Sequence, residues 1–412
     1  MNVFEQKTKK IEEYFMDWDT MYPTPYDKDK VSPWTKVRVI LMNGTEFESN
    51  WFLHNFARHC SDEALKRDLA LVRRQEQQQQ KRISCLKPIN ESVLEETIGY
   101  EQLAIELTAI LAQNEDNMTN KAALDFALLE DFDHLYRFAN MLKADYDIDA
   151  KRLVGGYTEI MPGRPTIAEH RHPYDSIRKG LVNKQASDYS KLVASIITAA
   201  EQQTMNFYMN MAQTYKTDIG RRLYQEIGMI EEQHVSQYES LQDASATWLE
   251  CWVMHEYTEC YLYYSMIQGE SCEHIKKIWQ EHLDMEIAHL HMALEYLKKY
   301  ENKTVKDLFE SLEMPKPLLF GENKEYIRDV IEKTVYNTAI LDKYVDVREH
   351  DNARFDQYQN AIQPNDNDAC HQIVEDFIKR FGNDYRYQDS EHPIEALRET
   401  KHDNICVGRK CG

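Results

Sequence analysis

Residues 282–291 read "HLDMEIAHLH", a run in which apolar residues recur at helical spacing and in which Glu286 and His289 stand three positions apart. Residues so spaced lie on one face of a helix, with β-carbons roughly 5–6 Å apart. Similar apolar spacing recurs along the chain, which contains only 13 Gly and 11 Pro in 412 residues. The sequence therefore predicts an all-α fold.

The helical segments divide the chain into three predicted regions. We expect residues 1–90 to form a mixed N-terminal extension, with a short hairpin at 35–48 and a helix over 52–83. A helical bundle is predicted over 91–300, and a polar C-terminal extension over 301–412, with helices at 323–346 and 367–381. Within the bundle, a hairpin at 91–145 is followed by a Gly- and Pro-rich connection at 146–186 and by four helices at 187–300.

Composition limits the classes of partner. The net charge of −21 repels phosphate backbones and anionic lipids, so neither nucleic acid nor a membrane is an expected partner. The first ten residues carry charges where a signal peptide needs an apolar core, and the longest apolar run is too short to span a bilayer. The eight cysteines show no disulfide framework. We expect a cytoplasmic protein.

The histidines indicate a functional site only when the spacing of the acids along the sequence is considered as well. Seven of the 15 histidines have an acid three positions earlier, so that pattern is weak alone. In three of these acid–histidine pairs, a further acid stands 30 residues before the acid of the pair. It lies in the other arm of a predicted helical hairpin, so both acids reach the same level of the hairpin. The three sets are Glu101 with Asp131 and His134, Glu201 with Glu231 and His234, and Glu256 with Glu286 and His289.

Two such hairpins would bring together four carboxylates and two histidines. Four buried negative charges would be very costly without a cation, and this ligand set is the one that di-iron and di-manganese bundles use. Tyr208 follows Glu201 by seven residues and Tyr263 follows Glu256 by seven, whereas Thr108 stands at that position after Glu101.

At this point the sequence resembles the ferritin-like di-iron carboxylate superfamily, and rubrerythrin-type proteins in particular. The segments "AAEQQTMNFYMNMA" (199–212), "MIEEQHVSQY" (229–238), "HEYTECYLYYSM" (255–266) and "DMEIAHLHMALEYL" (284–297) look like the four ligand helices of that family. The resemblance implies a ferritin-like bundle with a metal site formed by Glu201, Glu231, His234, Glu256, Glu286 and His289. Glu259 would be an extra carboxylate ligand.

The chain departs from the family in its connections. Rubrerythrin-type bundles have a long crossover between the second and third helices, but the link between those segments here is the short "QDAS" (242–245). The long connection lies between His134 and Glu201. It favours an alternative site in which Glu101, Asp131 or Glu130, and His134 join Glu201, Glu231 and His234. Both pairings stay open from sequence.

The resemblance implies a non-haem oxidoreductase that holds two iron ions, or alternatively manganese, and reacts with O2 or peroxide. A small organic substrate and an external electron donor are the expected partners, and homo-oligomers are compatible with the polar extensions. A rubredoxin-like electron-transfer domain is absent from the sequence. The alternative function is a non-catalytic bundle that stores metal or serves a structural role.

Overall fold

The computed structural model describes residues 1–350, 353–365, 367–385, 390–399 and 402–409. Fourteen α-helices and one two-stranded sheet occur in these ranges, so the predicted all-α class is confirmed. In chain order the helices are α1 (Trp18–Met21), α2 (Pro33–His59), α3 (Glu63–Ser84), α4 (Val93–Asn114), α5 (Met118–Tyr146), α6 (Ala150–Val154), α7 (Asp188–Thr214), α8 (Asp218–Glu239), α9 (Trp248–Gly269), α10 (Glu273–Glu301), α11 (Val305–Leu308), α12 (Lys324–Thr334), α13 (Ala353–Ile362) and α14 (Ala369–Phe381).

Local sequence signals explain where the long helices begin. Ser92 starts α4 with a capping box, in which its hydroxyl accepts from the amide of Glu95 and the Glu95 carboxylate accepts from the amide of Ser92. Thr247 and Glu250 form the same arrangement at the start of α9. Because these caps satisfy amides that a helix leaves without partners, they fix the first turn.

The chain folds into two compact units whose boundaries differ from the predicted regions. The first unit contains residues 1–91, 180–200 and 242–320, and the second contains residues 92–179, 201–241 and 321–412. The N-terminal region is therefore half of a bundle rather than an extension. The predicted run of four helices at 187–300 is divided between the units, with α8 in the second and α9 and α10 in the first.

The first unit is built from two helical hairpins. Helices α2 and α3 form one hairpin, α9 and α10 form the other, and the two hairpins meet where α2 packs on α9 and α3 packs on α10. The core is formed by residues without solvent exposure, among them Leu53, Leu69, Trp252 and Trp279.

The second unit has the same plan with additional helices. Its hairpins are α4 with α5, and residues 201–214 of α7 with α8, where the rings of Tyr208 and Tyr224 lie 5.6 Å apart. Helix α5 packs on α8. Helices α12 and α14, from the C-terminal region, pack on α5. Their apolar side chains, including Ile331, Val374 and Phe377, share one core with Leu135 and Phe138.

Three local predictions are wrong. The helix predicted over 52–83 is divided, because α2 ends at His59 and α3 begins at Glu63. Residues 35–48 are not a hairpin but part of α2, which starts at Pro33 behind the Ser32 cap. An Asn-Gly pair such as Asn43-Gly44 favours a turn, yet this segment packs inside the bundle and tertiary burial overrides that preference. The predicted helix at 323–346 ends at Thr334, and β1 (Asn337–Ile340) then pairs antiparallel with β2 (Lys343–Asp346).

No helix in the described part of the chain is both long and apolar enough to cross a membrane.

Candidate metal centres

Four side chains of the second unit bring potential ligand atoms to within 4.8 Å of one another, and they are Asp131, Glu201, Glu231 and His234. Glu101, His134 and Glu231 form a second group that meets the same limit. All of these residues are buried. Glu231 belongs to both groups, so the unit has two adjacent places for a cation with one shared carboxylate.

The hairpins place these side chains at one level. Helix α5 carries Asp131 and His134, and α8 carries Glu231 and His234, each pair three residues apart on one helix face. Glu101 on α4 and Glu201 on α7 lie 30 residues before the acids of their partner helices. Each hairpin therefore contributes one acid from its first arm and an acid and a histidine from its second.

In both histidines the outer ring nitrogen, Nε2, which is the one that does not face the ligand groups, contacts a carboxylate. His234 Nε2 lies 2.8 Å from Glu130 Oε2, and His134 Nε2 lies 3.0 Å from Glu169 Oε2. The other ring nitrogen of each faces the groups, with His134 Nδ1 3.1 Å from Glu231 Oε1 and His234 Nδ1 3.4 Å from an oxygen of Glu231. Carboxylates in this position orient histidines that bind metals.

Two arginines neutralise the outer carboxylate on His234. Arg171 Nη1 lies 2.8 Å and Arg164 Nη2 lies 3.1 Å from Glu130 Oε1. Burial alone would raise the pKa of Glu130, but the charges of Arg171 and His234 lower that pKa to about 2. Glu130, predicted as an alternative ligand to Asp131, thus belongs outside the two ligand groups and acts on His234.

Two carboxylates within the ligand groups, those of Asp131 and Glu201, are not compensated in this way. Burial raises the pKa of Asp131 to about 7, and burial together with the nearby charges of Asp131 and Glu231 raises the pKa of Glu201 well above its usual range. Asp131 Oδ2 and Glu201 Oε1 are buried and have no hydrogen-bond partner among the described residues. Oxygen atoms in this state suit a cation, because a cation would supply the interaction that the protein does not.

The first unit contains a second pair of groups with the same plan. Glu76, Glu256, Glu286 and His289 form one, and Glu46, Glu76 and Glu259 form the other, each within 4.8 Å. The shared carboxylate here is Glu76, which corresponds to Asp131, whereas the second unit shares Glu231. His289 Nδ1 lies 2.9 Å from Glu76 Oε1 and 3.2 Å from Glu286 Oε2.

The two units correspond position by position. Glu46 and Glu76 are 30 residues apart, as in the other three hairpins, and each ligand position of one unit lies 55 residues from its counterpart in the other. Tyr263 donates a hydrogen bond to Glu46, and Tyr208 donates one to Glu101. Each tyrosine thus joins the second hairpin of its unit to the first acid of that unit.

The structure divides the six residues of the first sequence pairing between two separate groups. Glu201, Glu231 and His234 join Asp131, whereas Glu256, Glu286 and His289 join Glu76. The alternative pairing, through Glu101, Asp131 and His134, is the one that the second unit brings together. Glu259 lies in the first unit, in the group with Glu46 and Glu76.

Several site residues were not predicted. Glu46 and Glu76 escaped the histidine search because Gln79 stands three residues after Glu76, although their spacing of 30 residues was available as a signal. The Gly- and Pro-rich connection was not expected to supply Arg164, Glu169 and Arg171, since no local spacing shows that a loop folds over a bundle.

Comparison with protein families, with characterised proteins and with solved structures finds no match to this chain.

Proposed function

We propose that the protein is a non-haem oxidoreductase with a ferritin-like bundle, whose second unit binds two iron ions, or alternatively two manganese ions, and reacts with O2 or peroxide. The observation that carries the proposal is the pair of buried groups that share Glu231, each with one inward histidine whose outer nitrogen is held by a carboxylate. A purely structural role does not account for the buried oxygens Asp131 Oδ2 and Glu201 Oε1, which have no hydrogen-bond donor among the described residues.

The ligand assignment follows from the groups. Asp131, Glu201, Glu231 and His234 would hold one ion, and Glu101, Glu231 and His134 would hold the other, with Glu231 common to both sets. Bound iron or manganese would supply Lewis acidity and would store the electrons that the reduction of O2 or peroxide needs. Imidazole and carboxylate ligands together suit either metal.

The surrounding side chains orient the ligands and exclude water. Tyr208 donates to Glu101 and thereby leaves the other oxygen of that carboxylate to face the group. Glu169 fixes the ring of His134, and Glu130 fixes the ring of His234 through its contacts with Arg164 and Arg171. Because these residues are buried, the site lies in a low-dielectric environment in which charge interactions are strong.

The proposal includes an external electron donor as the reductant and a small organic substrate as the molecule that is oxidised. A protein that only stores metal, or a metal-free bundle, is the alternative that the experiment must separate.

Metal analysis after anaerobic reconstitution with Fe2+ tests the proposal. We expect at least about two ions per chain in the second unit, by analogy with four-carboxylate, two-histidine bundles, followed by O2 uptake on exposure to air. Asp131→Ala with His134→Ala should abolish that uptake, whereas Glu256→Ala with His289→Ala, which alters the first unit, should leave it. Metal binding without O2 or peroxide consumption would favour storage, and fewer than about one ion per chain would contradict any metal function.

A further inference from the structure

Besides Glu76 in the place of Asp131, the two units differ at three corresponding positions around their candidate metal groups. Gln79 in the first unit occupies the place of His134, Gln75 that of Glu130, and Glu259 that of Thr204. Compared with the second unit, the first unit therefore lacks one nitrogen ligand and the charged carboxylate behind a histidine. It has one additional carboxylate, that of Glu259. These differences are large enough to change which cation each place binds.

We propose that the first unit holds a second metal centre of different character, in which Glu46, Glu76 and Glu259 form an oxygen-only position for a hard divalent cation such as Mn2+. The adjacent position, formed by Glu76, Glu256, Glu286 and His289, corresponds residue by residue to the group around His234 in the second unit. Glu76 is the carboxylate that both positions of this centre share. The proposal concerns the first unit and does not depend on the reaction proposed for the second.

Glu259 is the observation that points to a ligand. Its side chain has no solvent exposure, and neither of its oxygens has a hydrogen-bond partner among the described residues. The charged groups nearest to it are other carboxylates, those of Glu46, Glu76 and Glu286 among them. A fully buried acid surrounded by acids destabilises a fold unless a cation joins them.

The neighbouring side chains hold Glu46 in place for the same position. Tyr263 donates to Glu46 Oε1, and its hydroxyl also lies 3.0 Å from His282 Nδ1. Gln79 Nε2 donates to the same oxygen at 3.2 Å and to Glu286. Glu46 Oε2 is buried and has no partner in the described ranges, so it is the oxygen that can face a cation.

The donor set determines the expected preference. Three carboxylates without imidazole suit Mg2+, Ca2+ and Mn2+ better than softer ions. In the adjacent position His289 Nε2 lies 2.8 Å from the neutral amide oxygen of Gln75, where His234 has the carboxylate of Glu130. A charged outer partner strengthens a histidine ligand, so the first centre should bind its ions more weakly than the second.

Titration of the metal-free full chain with Mn2+ alone, with free Mn2+ measured by electron paramagnetic resonance, tests the proposal. We expect about four ions per chain, with the two of the first unit bound more weakly than the two of the second. The ion of the oxygen-only position should be the weakest, by roughly tenfold relative to the tightest class, because it has no nitrogen ligand. Glu259→Gln should remove that weak ion and leave the others. Thr204→Val, the matched change at the corresponding position of the second unit, should remove none.

A gain-of-ligand variant keeps the proposal testable if Glu259→Gln does not fold. Gln79→His restores the nitrogen ligand found at His134, and it should tighten the weak ion by about tenfold or more. Unchanged Mn2+ binding in folded Glu259→Gln, or an unaltered weak class in Gln79→His, would overturn the proposal. Glu231→Ala separates the two sites, because it should remove ions of the second unit while the weak class persists.

Discussion

Replacing Glu201 by glutamine should have opposite effects on the metal-free fold and on metal binding. The Glu201 side chain is 1% exposed, and its Oε1 has no hydrogen-bond partner in the described structure. Asp131, Glu231 and His234 are its charged neighbours. The change keeps the size of the side chain and removes only its ability to carry a negative charge.

The magnitude follows from the cost of burying this acid. Burial and the like charges of Asp131 and Glu231 raise the pKa of Glu201 well above its ordinary value, so the metal-free fold disfavours the negative charge that this acid carries in the unfolded chain. Each unit by which folding raises the pKa of a carboxyl costs about 1.4 kcal/mol of stability at a pH above both pKa values. Glutamine avoids that cost, and its amide nitrogen can donate to Asp131 or Glu231. We expect the free energy of unfolding of the metal-free protein to rise by about 1–3 kcal/mol.

Urea unfolding in the presence of a chelator measures the first effect, and metal analysis after reconstitution measures the second. The variant should lose at least one ion per chain because glutamine is a neutral and weaker ligand. Glu106→Gln is the matched control, since Glu106 is buried in the same unit but contacts Thr158 and Asn323 and lies outside the ligand groups. Its metal content should not change. A Glu201→Gln protein that is less stable without metal and binds metal normally would refute the reasoning.

Three further predictions concern the fold. Burial raises the pKa of Glu106 to about 7, so its stabilising contribution is present below about pH 4.5 and is lost as pH rises through about 7. The difference in unfolding free energy between wild type and Glu106→Gln, from urea titrations at pH 5 and pH 8, should therefore shift by about 3 kcal/mol in favour of the variant at the higher pH. Arg137→Met should lower the free energy of unfolding by at least about 3 kcal/mol, because it leaves Asp133 and Asp403 buried without their common cation; recovery of stability by adding Asp133→Asn would attribute the loss to charge, and no recovery would contradict it. Thr247→Ala should cost about 1 kcal/mol in the same assay through loss of the α9 cap, and an unchanged urea midpoint would show that the cap is not needed.

The long helices from 91 to 300 were predictable from the sequence because their apolar periodicity and their polar joints are both local. Of the four helices predicted at 187–300, the last two are observed at Trp248–Gly269 and Glu273–Glu301. The segment at 35–48 was not predictable in this way. Its β-branched residues and its Asn43-Gly44 pair indicate a hairpin locally, and only packing within the first unit makes it a helix.

The assembly of hairpins into units was beyond local reasoning for a different reason. The four hairpins occur in the order first unit, second unit, second unit, first unit, so the first unit pairs segments at the two ends of this region. A spacing of 30 residues shows which acids share a hairpin. It carries no information on which hairpins share a core, since that depends on contacts between residues far apart in sequence.

The tyrosines do carry that information. Tyr208 and Tyr263 each follow the first acid of their hairpin by seven residues, and each donates to the first acid of another hairpin, Glu101 or Glu46. Those partner hairpins have Thr108 and Leu53 at the corresponding position. In both units, therefore, a hairpin that carries the tyrosine pairs with a hairpin that lacks it. On this reasoning the hairpins of Glu201 and Glu256, which both carry the tyrosine, belong to different sites, and their likeness in sequence is the likeness of equivalent halves of two bundles.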